Sequence, residues 1–123
     1  MLVPRITTEE LKQRLDGDAA SHPVIVDVRL KYPYEHSTVM LPGALRMGPG
    51  VVDRARLSPD RDIVVYDSDP EDLVSERAAA DLIRNGYRAM ALAGGIAAWM
   101  AAKLPTDSKP APQLAAAPAS LKG

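Results

Sequence analysis

The sequence predicts an α/β fold in which a parallel sheet lies between helices, and three observations carry the prediction. First, Val24-Ile25-Val26-Asp27-Val28, Asp62-Ile63-Val64-Val65-Tyr66-Asp67 and Ala89-Met90-Ala91-Leu92-Ala93 are short and almost wholly apolar. Runs without polar alternation suit strands buried on both faces, as in parallel sheets. Second, segments with helical spacing stand between and after these runs, so consecutive strands are joined by crossovers rather than hairpins. Third, 123 residues with 46% hydrophobic and 25% charged content match one globular core.

The same composition excludes several classes of function. Fifteen Lys and Arg against sixteen Asp and Glu leave a net charge of −1, too little field to gather nucleic acid or anionic lipid. The apolar stretches, such as Ile96 to Ala102, fall well short of the roughly 18 residues that span a bilayer. Met-Leu-Val-Pro-Arg at the start lacks the apolar core of a signal peptide. The chain is expected to be soluble and cytoplasmic, with no nucleic-acid or membrane partner and no cofactor. It contains no cysteine, which removes disulfides, thiolate metal sites and sulfur nucleophiles at one stroke.

Along the chain, Thr7 can cap a first helix with Glu10 closing the capping box. Ile6 and Leu11 form a hydrophobic staple, and Leu11 and Leu15 face inward. The Val24 run is the first confident strand and ends at Asp27. Leu41-Pro42-Gly43 makes a turn into a short strand, Ala44 to Met47, before the Gly48-Pro49-Gly50 break. Val51 to Leu57 is expected to form one or two helical turns. After the Asp62 run and an acidic loop, a helix runs from Ser75, with Ala79, Leu82, Ile83 and Gly86 at i, i+3, i+4 and i+7 spacing; Asn85-Gly86 stops it. Ala89 to Ala93 is the next strand. Gly94-Gly95 then leads into a last helix whose inner face is Ile96, Trp99, Met100 and Leu104. Residues 105–123 hold four prolines and five alanines in nineteen residues with no apolar period, so residues 1–104 are read as the domain and 105–123 as a flexible tail. The tail could tether the domain to a larger assembly, and its removal after Leu104 is expected to cost less than about 0.5 kcal/mol.

Ligands of open parallel sheets bind past the carboxyl ends of the strands, which singles out the segments after Val28, Tyr66 and Ala93. The middle segment, Asp67-Ser68-Asp69-Pro70-Glu71-Asp72, joins a strand to a helix N-terminus, where backbone N–H groups and the dipole favour an anion. Four of its six side chains are carboxylates. At about 6 Å and an effective dielectric near 20, each opposes a monoanion by about 3 kcal/mol before screening. These six residues are the candidate ligand-binding loop, which a protein partner or small ligand would meet.

The order of four motifs resembles the rhodanese-like domain. Asp27-Val28-Arg29 follows a buried strand, and Leu41-Pro42-Gly43-Ala44 comes next. Ile63-Val64-Val65-Tyr66 then leads into the loop, and Leu92-Ala93-Gly94-Gly95-Ile96-Ala97-Ala98-Trp99 closes the set. The resemblance covers about residues 5 to 104 and implies a central, mainly parallel five-stranded sheet with helices on both faces. The resemblance also implies that active members are sulfurtransferases, which carry sulfane sulfur as a cysteine persulfide, with thiosulfate as a common donor and cyanide or another thiol as acceptor. The family's catalytic cysteine falls at Asp67, and a second cysteine of some relatives falls at Asp69. A carboxylate holds no persulfide, so Asp67 is a degenerate nucleophile position and no catalytic residue is assigned. Val39-Met40 replace the family's Gly-His pair, and two residues are inserted between Arg29 and Glu35. The dual-specificity and arsenate-reducing branches also need the loop cysteine, and Arg77 lies too far along to close a Cys-x5-Arg loop.

The leading reading is therefore a catalytically inactive rhodanese-like domain that serves as a binding or regulatory module. One alternative is a sulfurtransferase-family enzyme whose loop cysteines are replaced by Asp67 and Asp69. A lesser one is an Asp-based, Mg-dependent phosphotransfer enzyme like the haloacid dehalogenases, which Asp67-Ser68-Asp69 resembles. The latter lacks the threonine-rich continuation, the later Lys and acidic pair, and the necessary length. No metal site is assigned, since loop carboxylates near a helix start ordinarily complement its dipole. Asp27 with Arg29 reads as a structural ion pair, His22 and His36 as solvated surface, Gly94-Gly95 as a tight strand-to-helix passage, and Trp99 as core.

Overall fold

A computed structural model describes residues 2–48 and 50–110. In chain order the elements are β1 (Arg5–Ile6), α1 (Thr8–Asp16), a 3-10 turn (Ala19–Ser21), β2 (Val24–Asp27), α2 (Lys31–His36), β3 (Val39–Met40) and β4 (Leu45–Arg46). They continue with β5 (Asp62–Tyr66), α3 (Leu73–Arg84), β6 (Arg88–Leu92), α4 (Gly95–Ala101) and β7 (Asp107–Ser108). Five strands form one parallel sheet in the order β1-β6-β5-β2-β4. β5 sits at its centre, pairing Val26 with Val65 on one side and Val65 with Ala91 on the other.

The strand side chains alternate between two cores, which is why runs such as Ile63 to Tyr66 are apolar throughout. Ile63 and Val65 pack with Val26, Ala89 and Ala91 against Ala79 and Leu82 of α3. Val64 and Tyr66 face the other way, onto Leu11 of α1 and Ile96 and Trp99 of α4. Helices therefore cover both faces. The capping box of α1 is present, with Thr7 Oγ1 accepting from the Glu10 N–H at 3.1 Å and Glu10 Oε1 from the Thr7 N–H at 2.9 Å.

Several local expectations need correction. Residues 51–57 form turns and no helix; their order comes from Arg56, which binds Asp53 and the Arg46 carbonyl. α3 begins two residues before Ser75. α4 ends at Ala101, so Met100 is half-exposed, and Leu104 reaches the core only after Lys103 turns the chain through a positive φ of 59°. Structure also continues past Leu104. The Trp99 indole N–H donates to the Pro105 carbonyl at 2.7 Å, and β7 pairs antiparallel with β3. The Gly43 N–H donates to the Asp107 carboxylate at 2.9 Å, and Lys109 Nζ to the Tyr34 carbonyl at 2.6 Å. The remaining tail residues, 111–123, lie outside the described part. Among the described residues no helix is long and apolar enough to cross a membrane.

Candidate functional site

The loop after β5 is wound so that its carboxylates serve the protein's own backbone. Asp67 is 1% exposed. One of its carboxylate oxygens accepts from the Asp69 N–H at 3.0 Å and the other from the Ser75 N–H at 2.6 Å, while its carbonyl accepts from the Ile96 N–H at 3.0 Å. Asp69 is half-buried; its Oδ2 accepts from the Glu71 and Leu73 N–H groups at 3.2 and 2.9 Å. Two acidic side chains thus supply the acceptors that the first turn of α3 otherwise lacks, at the end where the dipole favours negative charge.

Asp72 is the third anchor. It is 2% exposed and sits at the N-cap of α3 with φ 59°, a left-handed conformation uncommon outside glycine. Its Oδ2 takes both the Arg5 guanidinium and the Gly94 N–H, the latter at 3.0 Å, and Arg5 also reaches Glu76. Its Oδ1 is buried with no partner among the described residues. Arg5 is therefore the cation that makes this run of acids tolerable, binding β1, the loop and α3 together. Glu71 and Pro70 are exposed, and Ser68 is half-buried.

Burial is the first cause that pushes the Asp67 carboxyl above the ordinary aspartate range. Its two amide hydrogen bonds oppose this, and the neighbouring charges of Asp72 and Asp69 add to it. The loop is also pressed from the other side by Gly95, whose φ is +59° and where a Cβ would collide with the Asp67 carbonyl. Only glycine fits there, so the double glycine sets how closely the β6–α4 turn approaches the loop.

A second buried network lies at the carboxyl ends of β2 and β4. Arg29, 2% exposed, holds Asp27 through Nε at 3.0 Å and Nη2 at 2.6 Å. The Tyr66 hydroxyl donates to Asp27 at 3.0 Å and accepts from the Leu41 N–H at 3.2 Å. Burial alone would lower the Arg29 guanidinium, but the hydrogen bonds and charge of Asp27 outweigh it and hold it above its usual value. Burial, then the Asp27 charge, push the Tyr66 phenol up. Arg46 lies 4.0 Å and Lys109 4.3 Å from the Tyr34 ring centre, a cation–π stack that seats α2 and the segment after β7. Arg29 Nη2 also donates to the Val39 carbonyl at 3.0 Å, and Arg46 Nη1 to the Arg29 carbonyl at 2.6 Å, so the network ties β2 to the segments beside it and holds the sheet edge in place.

The remaining sequence candidates are dispersed. The His22 ring lies 3.0 Å from the Gly17 carbonyl, half-buried, and His36 is exposed beside Tyr32. Arg77 is exposed on α3. Among the described residues no three His, Asp or Glu side chains converge as metal ligands must. Sequence reasoning missed Arg5, Ser75 and Gly94 as parts of the site. Two of them act through backbone N–H groups that every residue carries, so only the double glycine gave any signal.

The architecture has solved counterparts. A full-length protein from Lactobacillus plantarum superposes with a TM-score of 0.75 at 24% identity, covering 85% of this chain and 88% of that one. A rhodanese-related protein from Thermoplasma volcanium gives a TM-score of 0.64 at 15% identity, covering 85% and 97%. A thiosulfate sulfurtransferase from Pseudomonas aeruginosa gives 0.66 at 21% identity, covering 86% of this chain but 19% of that one. No curated protein matches the chain. A family model, the rhodanese-like domain, matches residues 7–102, which hold β2, β5, the acidic loop and the double glycine. The chain belongs to the rhodanese-like domain family.

Proposed function

We propose that this rhodanese-like domain transfers no sulfur and acts as a binding or regulatory module. The observation that carries the reading is Asp67. It stands where the family places its thiol, it is buried, and its carboxylate occupies the Asp69 and Ser75 N–H donors directed at that point. A persulfide needs a thiolate that attacks the outer sulfur of thiosulfate and releases sulfite, and no cysteine exists to do so. The amides that would stabilise the incoming anion are already bound to an internal one. The part of the loop a partner meets is Ser68, Asp69, Pro70 and Glu71, because Asp67 and Asp72 lie inside.

The test is thiocyanate formation from thiosulfate and cyanide by the purified chain, with persulfide followed by mass. The unmodified chain is expected to match the blank, whereas Asp67→Cys is expected to gain the mass of one sulfur atom on incubation with thiosulfate. Turnover by the unmodified chain overturns the reading. A folded Asp67→Cys that takes up no sulfur overturns the claim that residue 67 is where the chemistry was lost.

A further inference from the structure

We propose that the outer face of α3 is a self-association surface on which a second copy of this chain packs about a two-fold axis. The proposal does not depend on the sulfur-transfer reading, since it concerns a face outside the buried loop carboxylates. Four large apolar side chains are left exposed on this side: Leu2 at 97%, Leu30 at 50%, Val51 at 53% and Leu73 at 59%. They are neighbours. Leu30 and Leu73 line one cleft of about 320 Å³, Leu2 and Leu73 line the next, of about 470 Å³, and Val51 adjoins the first through Gly50 and Ala78. Exposed apolar side chains gathered in one patch mark a protein contact.

Leu73 and Arg77 line both clefts and stand four residues apart on α3, so they form the ridge between them. The first cleft has Leu30, Val74 and Ala78 as its apolar lining and Asp81 as its acid. This is the complement of the ridge: Leu73 seats on the apolar lining and the Arg77 guanidinium meets Asp81. Among the described residues Arg77 has no ion-pair partner. Among the described residues the Asp81 carboxylate is paired with Arg84 alone, at i+3, a surface pair of small worth. Ridge and cleft lie on the same face, as a two-fold contact requires, because each copy must offer both halves. A foreign partner would need only one of them. With a net charge of −1, two copies meet without appreciable long-range repulsion.

The experiment is sedimentation equilibrium of the full chain over a concentration series. The mass is expected to rise from 13.2 kDa toward twice that value. The midpoint expected of a small interface is about 10 to 100 μM. Leu73→Glu is expected to hold the chain monomeric. Arg77→Glu and Asp81→Lys are each expected to weaken association about tenfold, and the double variant to restore it. All three positions are on the surface, and unchanged thermal unfolding of each variant verifies its fold. A mass of one chain at every concentration overturns the proposal. So does association that Leu73→Glu leaves intact, or a charge swap that fails to rescue.

Discussion

Replacing Gly95 by alanine tests whether the close approach of the β6–α4 turn is what sets the position of the acidic loop. Gly95 has φ +59°, and holding an L-residue there costs about 1 to 2 kcal/mol. The added Cβ also strikes the Asp67 carbonyl, which is backbone and cannot rotate aside. Relief requires the turn to move and the 3.0 Å bond from the Ile96 N–H to that carbonyl to break, worth about 1 kcal/mol. The expected loss is therefore about 3 kcal/mol. Gly86→Ala is the control, because its φ is +94° but a Cβ there meets nothing within 4 Å, so only the backbone cost applies. Urea denaturation measures both. With a slope of about 2 kcal/mol per molar urea, Gly95→Ala should shift the midpoint down by about 1.5 M, and Gly86→Ala by about half of that. The amide resonances of residues 67–75 should move in the first variant and stay in the second. If Gly95→Ala costs no more than Gly86→Ala, the loop is not held from that side and the account of the double glycine is wrong.

Three further outcomes are expected. A chain ending at Leu104 should lose about 2 to 3 kcal/mol in urea denaturation, because the buried Trp99 indole N–H loses its acceptor and β3 loses β7, whereas a chain ending at Pro110 should lose less than about 0.5 kcal/mol. Arg29→Met should cost about 3 kcal/mol by leaving the Asp27 carboxylate buried without its guanidinium, held by the residue-29 N–H, Tyr66 and the more distant Arg46, and Asp27→Leu added to it should recover much of that loss. The third concerns pH. The folded state raises the Asp67 pKa, so it binds that proton more tightly than the unfolded chain does. The contribution of this group to stability is therefore full below the unfolded value of about 3.9 and falls as pH rises through the higher folded value. Asp67→Asn should remove that falling component from the pH dependence of the urea midpoint while the rest of the profile remains.

How much of this was legible in the sequence follows from where the information resides. β2, β5 and β6 are apolar on both faces, so their residues alone mark them as inner strands. β1, β3, β4 and β7 are two residues each, defined by pairing partners elsewhere in the chain, and of these only β4 left a trace, in the run between two turns. β7 is the clearest loss. Asp107 and Ser108 sit in a proline- and alanine-rich composition that reads as tail, yet their order comes from main-chain bonds and from Asp107 and Lys109 reaching backbone groups of residues 34 to 43. α2 was invisible for a related reason. Lys31-Tyr32-Pro33-Tyr34-Glu35-His36 has no apolar stripe, and Tyr34 stacked among Arg46 and Lys109 holds it. At the loop, the sequence pattern puts Asp67 directly after β5, as the structure has it, but the run of four acids reads as a repelling patch. Its real arrangement depends on Arg5, sixty-seven residues before Asp72, and on main-chain donors.

That arrangement changes the reason for which the loop should refuse an anion. Read as exposed charges, the four carboxylates exclude one by repulsion that salt would screen. In the structure Asp67 is buried and Asp69 half-buried, and their carboxylates take N–H donors of the α3 N-terminus, so an incoming anion must displace a covalently attached competitor rather than merely overcome a field. Competition of this kind is screened by salt much less than repulsion between exposed charges, and it is relieved when the internal acceptor leaves or is neutralised. It also accounts for Asp67 tolerating its buried position: two directed N–H bonds offset part of the desolvation that pushes its carboxyl up, and Arg5 on Asp72 limits the repulsion from the next acid along. A thiol at residue 67 would leave those amides without an internal acceptor, so the cradle and the missing sulfur carrier are lost, or restored, together.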